Sequence, residues 1–344
     1  MMLKPFQAMQ NSNKRNRLSR IALISAAVLS VSGSLTVLPA YAEDSAKNEV
    51  VSTSSQMNPG YYSIRLGDFK ITAVSDGTVM VDFTELMNNT SPEEVARLLA
   101  RRYHGAQVET SINAYVIDTG NHVAIVDTGA GDVFAPSGGH LVENLKSAGY
   151  QPEQIDAVLL THIHGDHSCG LTRNGKMTFP NAVVYADQHD VDFWLNSDNK
   201  DKVSDTLKVG FEWAEQSVGT YLKAGRVKAF SEEGELFPGI SAINTYGHTP
   251  GHTVYQAESQ GQRIRFIGDL LHSQDIQFAR PEITIDFDLN SPKAARQRLN
   301  AFNDAVEGGY LIGAAHIPFP GIGHIQRDGG AFEWIPMNYR AKAN

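Results

Sequence analysis

The sequence predicts an α/β fold in which two sheets pack face to face with helices outside. Three observations carry that prediction. Apolar runs of strand length recur along the chain, and each half carries several of them together with helical stretches, the pattern of a layered sandwich. Residues able to bind a metal gather at the ends of those runs, where loops at one edge of two sheets can share a site. The chain has 344 residues, 42% of them hydrophobic, and one cysteine. That is enough for one large domain or two smaller ones, stabilised without an internal disulfide.

Residues 1–42 read as an export signal. Lys4, Lys14, Arg15, Arg17 and Arg20, with no acid among them, lead into the short apolar core Ile21–Leu29. Ala40-Tyr41-Ala42 then supplies a small-x-small cleavage pattern before Glu43. The apolar run is too short and too rich in serine to span a bilayer comfortably. Cleavage near Ala42 and a bacterial periplasmic or secreted location are expected. Residues 43–58 are polar and read as a disordered linker, which leaves 59–344 as the folded domain.

Within that domain, Tyr61–Leu66 and Phe69–Val74 alternate around Gly67-Asp68, a hairpin signal. Ser91-Pro92-Glu93-Glu94 opens a helix as a capping box, with Val95, Leu98 and Leu99 as its buried stripe. Thr110–Asp118 and His122–Val126 form a second hairpin, and Leu141–Ala148 a helix closed by Gly149. Ile155–Leu160 reads as a buried strand. A strand at Ala182–Tyr185 leads to a helix capped by Asp187. A longer helical stretch over Leu207–Ala224 is rich in aromatic residues. The last third returns to strands at Val227–Phe230, Ile240–Asn244, Thr253–Ala257 and Ile264–Ile267. A helix from Ser291 to about Val306 and a final strand, Tyr310–Ala315, complete the scaffold.

The formal charge is -9; removing the five bases of residues 1–42 leaves 24 basic against 38 acidic residues, or -14. An acidic surface argues against nucleic acid, which needs positive charge opposite its phosphates. It is compatible with a small neutral substrate.

The chemistry concentrates after the Ile155–Leu160 strand. Thr161-His162-Ile163-His164-Gly165-Asp166-His167 places three of the chain's 12 histidines and an aspartate within six residues. Imidazole and carboxylate are the ligand types that suit zinc and similar divalent ions. A polar turn that happens to be rich in histidine is the plainer reading. The downstream segments weigh against it. Tyr246-Gly247-His248-Thr249-Pro250-Gly251-His252, Ile267-Gly268-Asp269 and Ala314-Ala315-His316 each offer a further ligand at a strand end. Cys169, just past the cluster, reads as small apolar packing rather than a ligand.

His162-x-His164-x-Asp166-His167, followed by His248, Asp269 and His316, resembles the metallo-β-lactamase superfamily in its dinuclear hydrolase branch. The resemblance covers about Tyr61 to the C-terminus and implies that superfamily's αββα sandwich. Within it the chain is similar to methyl parathion hydrolases and related lactonases. That similarity rests on Gly60-Tyr61-Tyr62, Leu66-Gly67-Asp68-Phe69, Ser75-Asp76-Gly77-Thr78, Asn113-Ala114-Tyr115, Ala148–Gln154 and Ala315–His324. It implies two divalent ions, zinc first among them. One is held by His162, His164 and His248 and the other by Asp166, His167 and His316. Asp269 bridges them beside a shared hydroxide. Asp269 and Asp166 are thus the expected catalytic carboxylates. Asp127 is expected to organise the histidine loop by hydrogen bonding, His252 to sit behind the ligands, and His324 to play a similar minor part. Phe134, Trp194 and Phe211 are the expected aromatic lining of a substrate pocket, although aromatic residues in helices are more often plain core.

The reaction implied is hydrolysis of neutral esters or lactones, extending to organophosphate triesters. No membrane partner is expected after signal cleavage, and the strands from Tyr61 to Met80 are an expected homodimer contact. The same ligands suit a β-lactamase or a glyoxalase-II-like thioesterase, or an exported zinc-binding protein without catalysis. A two-iron redox protein of the superfamily would need a flavin domain for which the remaining chain has no room.

Overall fold

The structure, a computed structural model, describes residues 58–342. The expected export signal lies outside the described residues, as does the expected linker apart from Asn58.

Two seven-stranded sheets form the body. The first contains Tyr61–Leu66 (β1), Phe69–Asp82 (β2), Gln107–Asp118 (β3), Val123–Val126 (β4), Ala157–Leu159 (β5), Val183–Asp187 (β6) and Val227–Phe230 (β7), adjacent in that order. The second contains Gly234–Phe237 (β8), Ile240–Asn244 (β9), Thr253–Ser259 (β10), Gln262–Phe266 (β11), Leu311–Gly313 (β12), Ile322–Asp328 (β13) and Ala331–Pro336 (β14), again in chain order. Pairing in the first sheet is antiparallel from β1 to β4 and parallel from β4 to β7. In the second sheet only β11 and β12 are parallel. Parallel neighbours point their C-terminal ends the same way, so the residues that follow β4, β5 and β6 emerge side by side.

Alternation along the strands defines the layers. Ala124, Val126, Ala157, Leu159 and Tyr185 of the first sheet pack with Ile240, Ala242, Tyr255, Ala257, Ile264 and Phe266 of the second. Their in-between neighbours Ile125, Val158 and Val184 turn to the opposite face, against Leu141, Leu145, Val191, Trp194 and Phe211 from helices. On the far side of the second sheet, Val254, Ile312 and Ile325 meet Phe302 and Ala305 of the helix Ser291–Gly308. Helix, sheet, sheet and helix therefore stack as the expected αββα sandwich. Strands β4 to β6 are apolar on both faces because both are covered.

Local expectations hold with shifted ends. β2 runs eight residues past Val74, to Asp82. Ser91 caps the helix Pro92–Ala100 by accepting from the Glu94 N–H, but the Glu94 carboxylate pairs with Arg97 instead of closing a capping box. Two helices, Gly210–Gln216 and Val218–Lys223, replace the single one expected over Leu207–Ala224. They break at Ser217, whose ψ of -84° is not helical and whose hydroxyl bonds back to the Trp213 carbonyl, the local competition that serine offers a helix. Tyr310–Ala315 shortens to β12, and the β13–β14 hairpin follows it. Among the described residues no helix is long and apolar enough to cross a membrane.

Candidate metal centre

All seven expected ligands arrive at one edge of the sandwich. His162, His164, Asp166 and His167 follow β5, His248 lies between β9 and β10, Asp269 follows β11 and His316 follows β12. They form two groups. His162, His164, His248 and Asp269 offer donor atoms within 4.8 Å of one another, and so do Asp166, His167 and His316.

Asp269 joins the groups. Its Oδ2 lies 3.1 Å from His248 Nε2 and 3.5 Å from His162 Nε2. Its Oδ1 lies 3.1 Å from both His167 Nε2 and His316 Nε2. Each oxygen of one carboxylate thus faces a different set of imidazoles. Asp166 Oδ2 stands 3.7 Å from His167 Nε2 and 3.6 Å from His316 Nε2. The chain reaches this geometry through Gly268, whose φ is +47° and where a Cβ would come within 2.8 Å of His252 Nε2. A side chain there would displace Asp269.

The inner atoms fit a divalent cation. His162 Nε2, His167 Nε2 and Asp269 Oδ1 are buried without hydrogen-bond partners, a costly arrangement for polar groups that nothing satisfies, and His164 turns its Nδ1 inward, 3.0 Å from His248 Nε2. The outer atoms are satisfied in a way that turns lone pairs inward. His167 Nδ1 lies 2.9 Å from Asp127 Oδ2, His248 Nδ1 lies 2.8 Å from Asp288 Oδ1, and His316 Nδ1 lies 2.9 Å from the Ser111 carbonyl. Each acceptor takes an Nδ1–H and leaves Nε2 as the donor to a metal. His162 Nδ1 reaches the Thr161 hydroxyl at 3.0 Å, and that hydroxyl donates to Asp127 Oδ2 at 2.8 Å. Asp127 also accepts the Thr161 N–H at 2.8 Å. It sits at a φ of 58°, an uncommon conformation for a non-glycine residue that its carboxylate contacts hold in place. Asp127 organises the loop and is not in either ligand group.

Burial opposes charge on every ring. For His162 and His164 it wins, helped by neighbouring rings, and both sit well below the ordinary imidazole value. At His248 burial is outweighed by Asp269 and Asp288, which push it up to about 9. Burial also disfavours the Asp269 carboxylate, but the surrounding imidazoles hold its pKa well below the usual range. The carboxylates outweigh burial at His167 and His316 as well and raise both. His162 and His164 are therefore neutral donors at once, whereas a cation would have to displace protons from His167, His248 and His316, the usual coupling of metal binding to proton release.

The comparisons agree with the geometry. The pattern of the Metallo-beta-lactamase superfamily matches residues 108–307. The chain belongs to that superfamily. The crystal structure of the hydrolase AbOPH, described as in the beta lactamase superfamily, superposes with a TM-score of 0.79 at 37% identity, covering 83% of this chain and 100% of that one. AidC, a dizinc quorum-quenching lactonase solved with a product, N-hexanoyl-L-homoserine, matches with a TM-score of 0.74 at 24% identity over 82% of this chain and 98% of AidC. An N-acyl homoserine lactonase from Bacillus sp is 24% identical over 201 residues, 56% of this chain and 71% of the relative. Membership makes the protein a metal-dependent hydrolase and leaves its substrate to be argued.

In this superfamily member the remaining expected residues divide by position. His252 Nε2 accepts the Asp269 N–H at 3.0 Å and its Nδ1 lies 2.8 Å from the Thr245 hydroxyl. Burial lowers its pKa to about 3, so it braces Asp269 as a neutral ring. His324 is exposed on β13, where its Nδ1 meets the Tyr310 carbonyl, outside both groups. Cys169 is buried, which pushes its thiol pKa up and keeps it protonated. Trp194 and Phe211 lie in the core, with the Trp194 ring edge-on to His164 at 5.1 Å between centroids. Phe134 is half-buried and meets Trp213 edge to face at 6.3 Å. Trp213 in turn covers Gly165, where a Cβ would come within 2.5 Å of its ring.

Sequence reasoning missed His272, Asp288 and Asp190. The His272 ring is buried, stacks on His316 and puts Nε2 3.1 Å from Asp269 Oδ2, while its Nδ1 has no partner. Its place three residues after Asp269 was a signal available in the sequence. Asp288 lies 40 residues from His248 and Asp190 lies 27 from Ile163. Nothing local marks either one.

Proposed function

We propose that this protein is a dizinc hydrolase of small neutral lactones and esters, with organophosphate triesters as a further substrate class. The observation that carries the reading is the division of Asp269, one oxygen toward His162 and His248 and the other toward His167 and His316. A carboxylate in that position would serve both of two ions, one through each oxygen. Two such ions, when bound, supply hydroxide at neutral pH and polarise the oxygen of the group under attack. The rest is done by the chain. Asp127, Asp288 and the Ser111 carbonyl hold protons at Nδ1 of His167, His248 and His316, so those rings keep one orientation. Asp166, partly exposed, borders the side open to solvent and substrate.

The substrate class draws support from the relatives, which include lactonases solved with acyl-homoserine products, and from the acidic surface, which disfavours anionic polymers. The order of basic, apolar and small-x-small segments in residues 1–42 supports export. Protein recovered from a periplasmic fraction should begin at Glu43, and an intact Met1 would refute export. For the function, the test is metal analysis of the protein followed by assays on acyl-homoserine lactones, aryl esters and paraoxon-like triesters. Two zinc equivalents and turnover of a lactone or ester, abolished in a folded Asp269→Ala variant, are expected. A fully zinc-loaded enzyme inert on all three classes, yet active on nitrocefin or S-lactoylglutathione, would replace this reading with a β-lactamase or thioesterase.

A further inference from the structure

We infer that Asp190 is a positioning residue for one of the two proposed ions, the one held by His162, His164 and His248, and not for the other. The inference rests on the two-ion reading above. Asp190 is fully buried on the helix Gln188–Trp194 and belongs to neither ligand group. Its Oδ2 accepts the Ile163 N–H at 3.0 Å and the Thr249 hydroxyl at 2.8 Å, and its Oδ1 accepts the Gly251 N–H at 2.6 Å. Ile163 stands between His162 and His164, and Thr249 follows His248. One carboxylate therefore ties the loop after β5 to the loop between β9 and β10, which come from different sheets.

Two further features point the same way. Gly251 is needed for the contact, because a Cβ there would lie 2.7 Å from the Asp190 backbone nitrogen and 2.8 Å from Asp187 Oδ1. Trp194, one helical turn after Asp190 and so on the same face, sets its ring against His164. The helix thus fixes the backbone of the first loop with one side chain and the ring of His164 with another. His167 and His316 are oriented by other groups, Asp127 and the Ser111 carbonyl. Losing Asp190 should therefore loosen one ion selectively, whereas a general weakening of the fold would loosen both.

The experiment titrates metal-free protein with cobalt(II), following visible absorption and competition with a chromophoric chelator. Wild type, Asp190→Ala, Asp190→Asn and Thr249→Val are compared, each also in a His316→Ala background that takes a ligand from the second group and leaves His162, His164 and His248 complete. Wild type taking up fewer than two equivalents would overturn the two-ion reading itself. With two equivalents in wild type, Asp190→Ala should weaken one by about tenfold or more. The other should stay within about twofold, and the His316→Ala background should show the weakened one to be the tested site. Asp190→Asn, which keeps the shape and one acceptor, should recover part of the loss. Thr249→Val removes a single hydrogen bond and decides the matter if Asp190→Ala does not fold; a loss of about threefold at the same site is expected. Unchanged binding, or equal weakening of both equivalents, overturns the inference.

Discussion

The two ligand groups are built from the same residue types but are not equivalent. His162, His164, His248 and Asp269 are all buried, and the helix carrying Asp190 and Trp194 closes around them. The second group opens through Asp166, whose side chain is 22% exposed against 5% or less for His167, His316 and Asp269. The difference teaches that one half of the centre is wholly enclosed, whereas the other reaches solvent through a single carboxylate. A buried group is set by the packing around it. One with a partly exposed carboxylate can exchange with solvent at that residue.

Breaking the shared carboxylate erases the distinction and should have the largest effect. Asp269→Ala removes the contact to both groups, and hydrolysis should fall by about a thousandfold or more, the scale of several kcal/mol of lost charge stabilisation. Retained turnover with one ion gone would show that Asp269 serves only one group.

The next two changes separate the halves. Asp288→Asn replaces the acceptor of His248 Nδ1–H inside the buried group and should cost about 10- to 100-fold in affinity for one ion. Asp166→Ala acts on the open group and should weaken the other ion while sparing the first. Chelator competition on the two variants reads both. If each variant lost both ions together, the groups would be one cooperative site. In wild-type protein the ion beside Asp166 should leave first on dilution into chelator, and two-phase loss of metal is the expected trace.

A smaller effect concerns the loop that carries Phe134. Asp76 is buried and accepts N–H groups from Ala130, Gly139 and Leu141. Burial nevertheless raises its pKa from 3.8 to about 6. The folded state therefore binds a proton between about pH 4 and 6 that the unfolded chain has released, and stability falls as pH rises through that window. The loss amounts to at most about 3 kcal/mol. The urea midpoint of wild type should drop relative to Asp76→Asn across this range, and a difference that stays flat with pH would mean that Asp76 is ionised throughout.

Much of the site was legible in the chain because metal ligands are chemically distinctive and cluster. His162, His164, Asp166 and His167 are recognisable within six residues, and His248, Asp269 and His316 each end a strand that alternation or an apolar run reveals. The break at Ser217, the β13–β14 hairpin and the unclosed capping box at Glu94 were not legible, since each depends on which partner wins a local hydrogen bond.

By itself, then, the sequence determined the ligand types, their order and the layered α/β architecture, because ligand chemistry and strand periodicity are properties of short segments. Only the tertiary structure decided that Asp269 divides its oxygens between two groups, that Asp190, Asp288 and His252 brace them, and that His272 stacks on His316 with its Nε2 against Asp269. Those facts join residues dozens of positions apart, and no local pattern encodes which distant backbone N–H a buried carboxylate will meet.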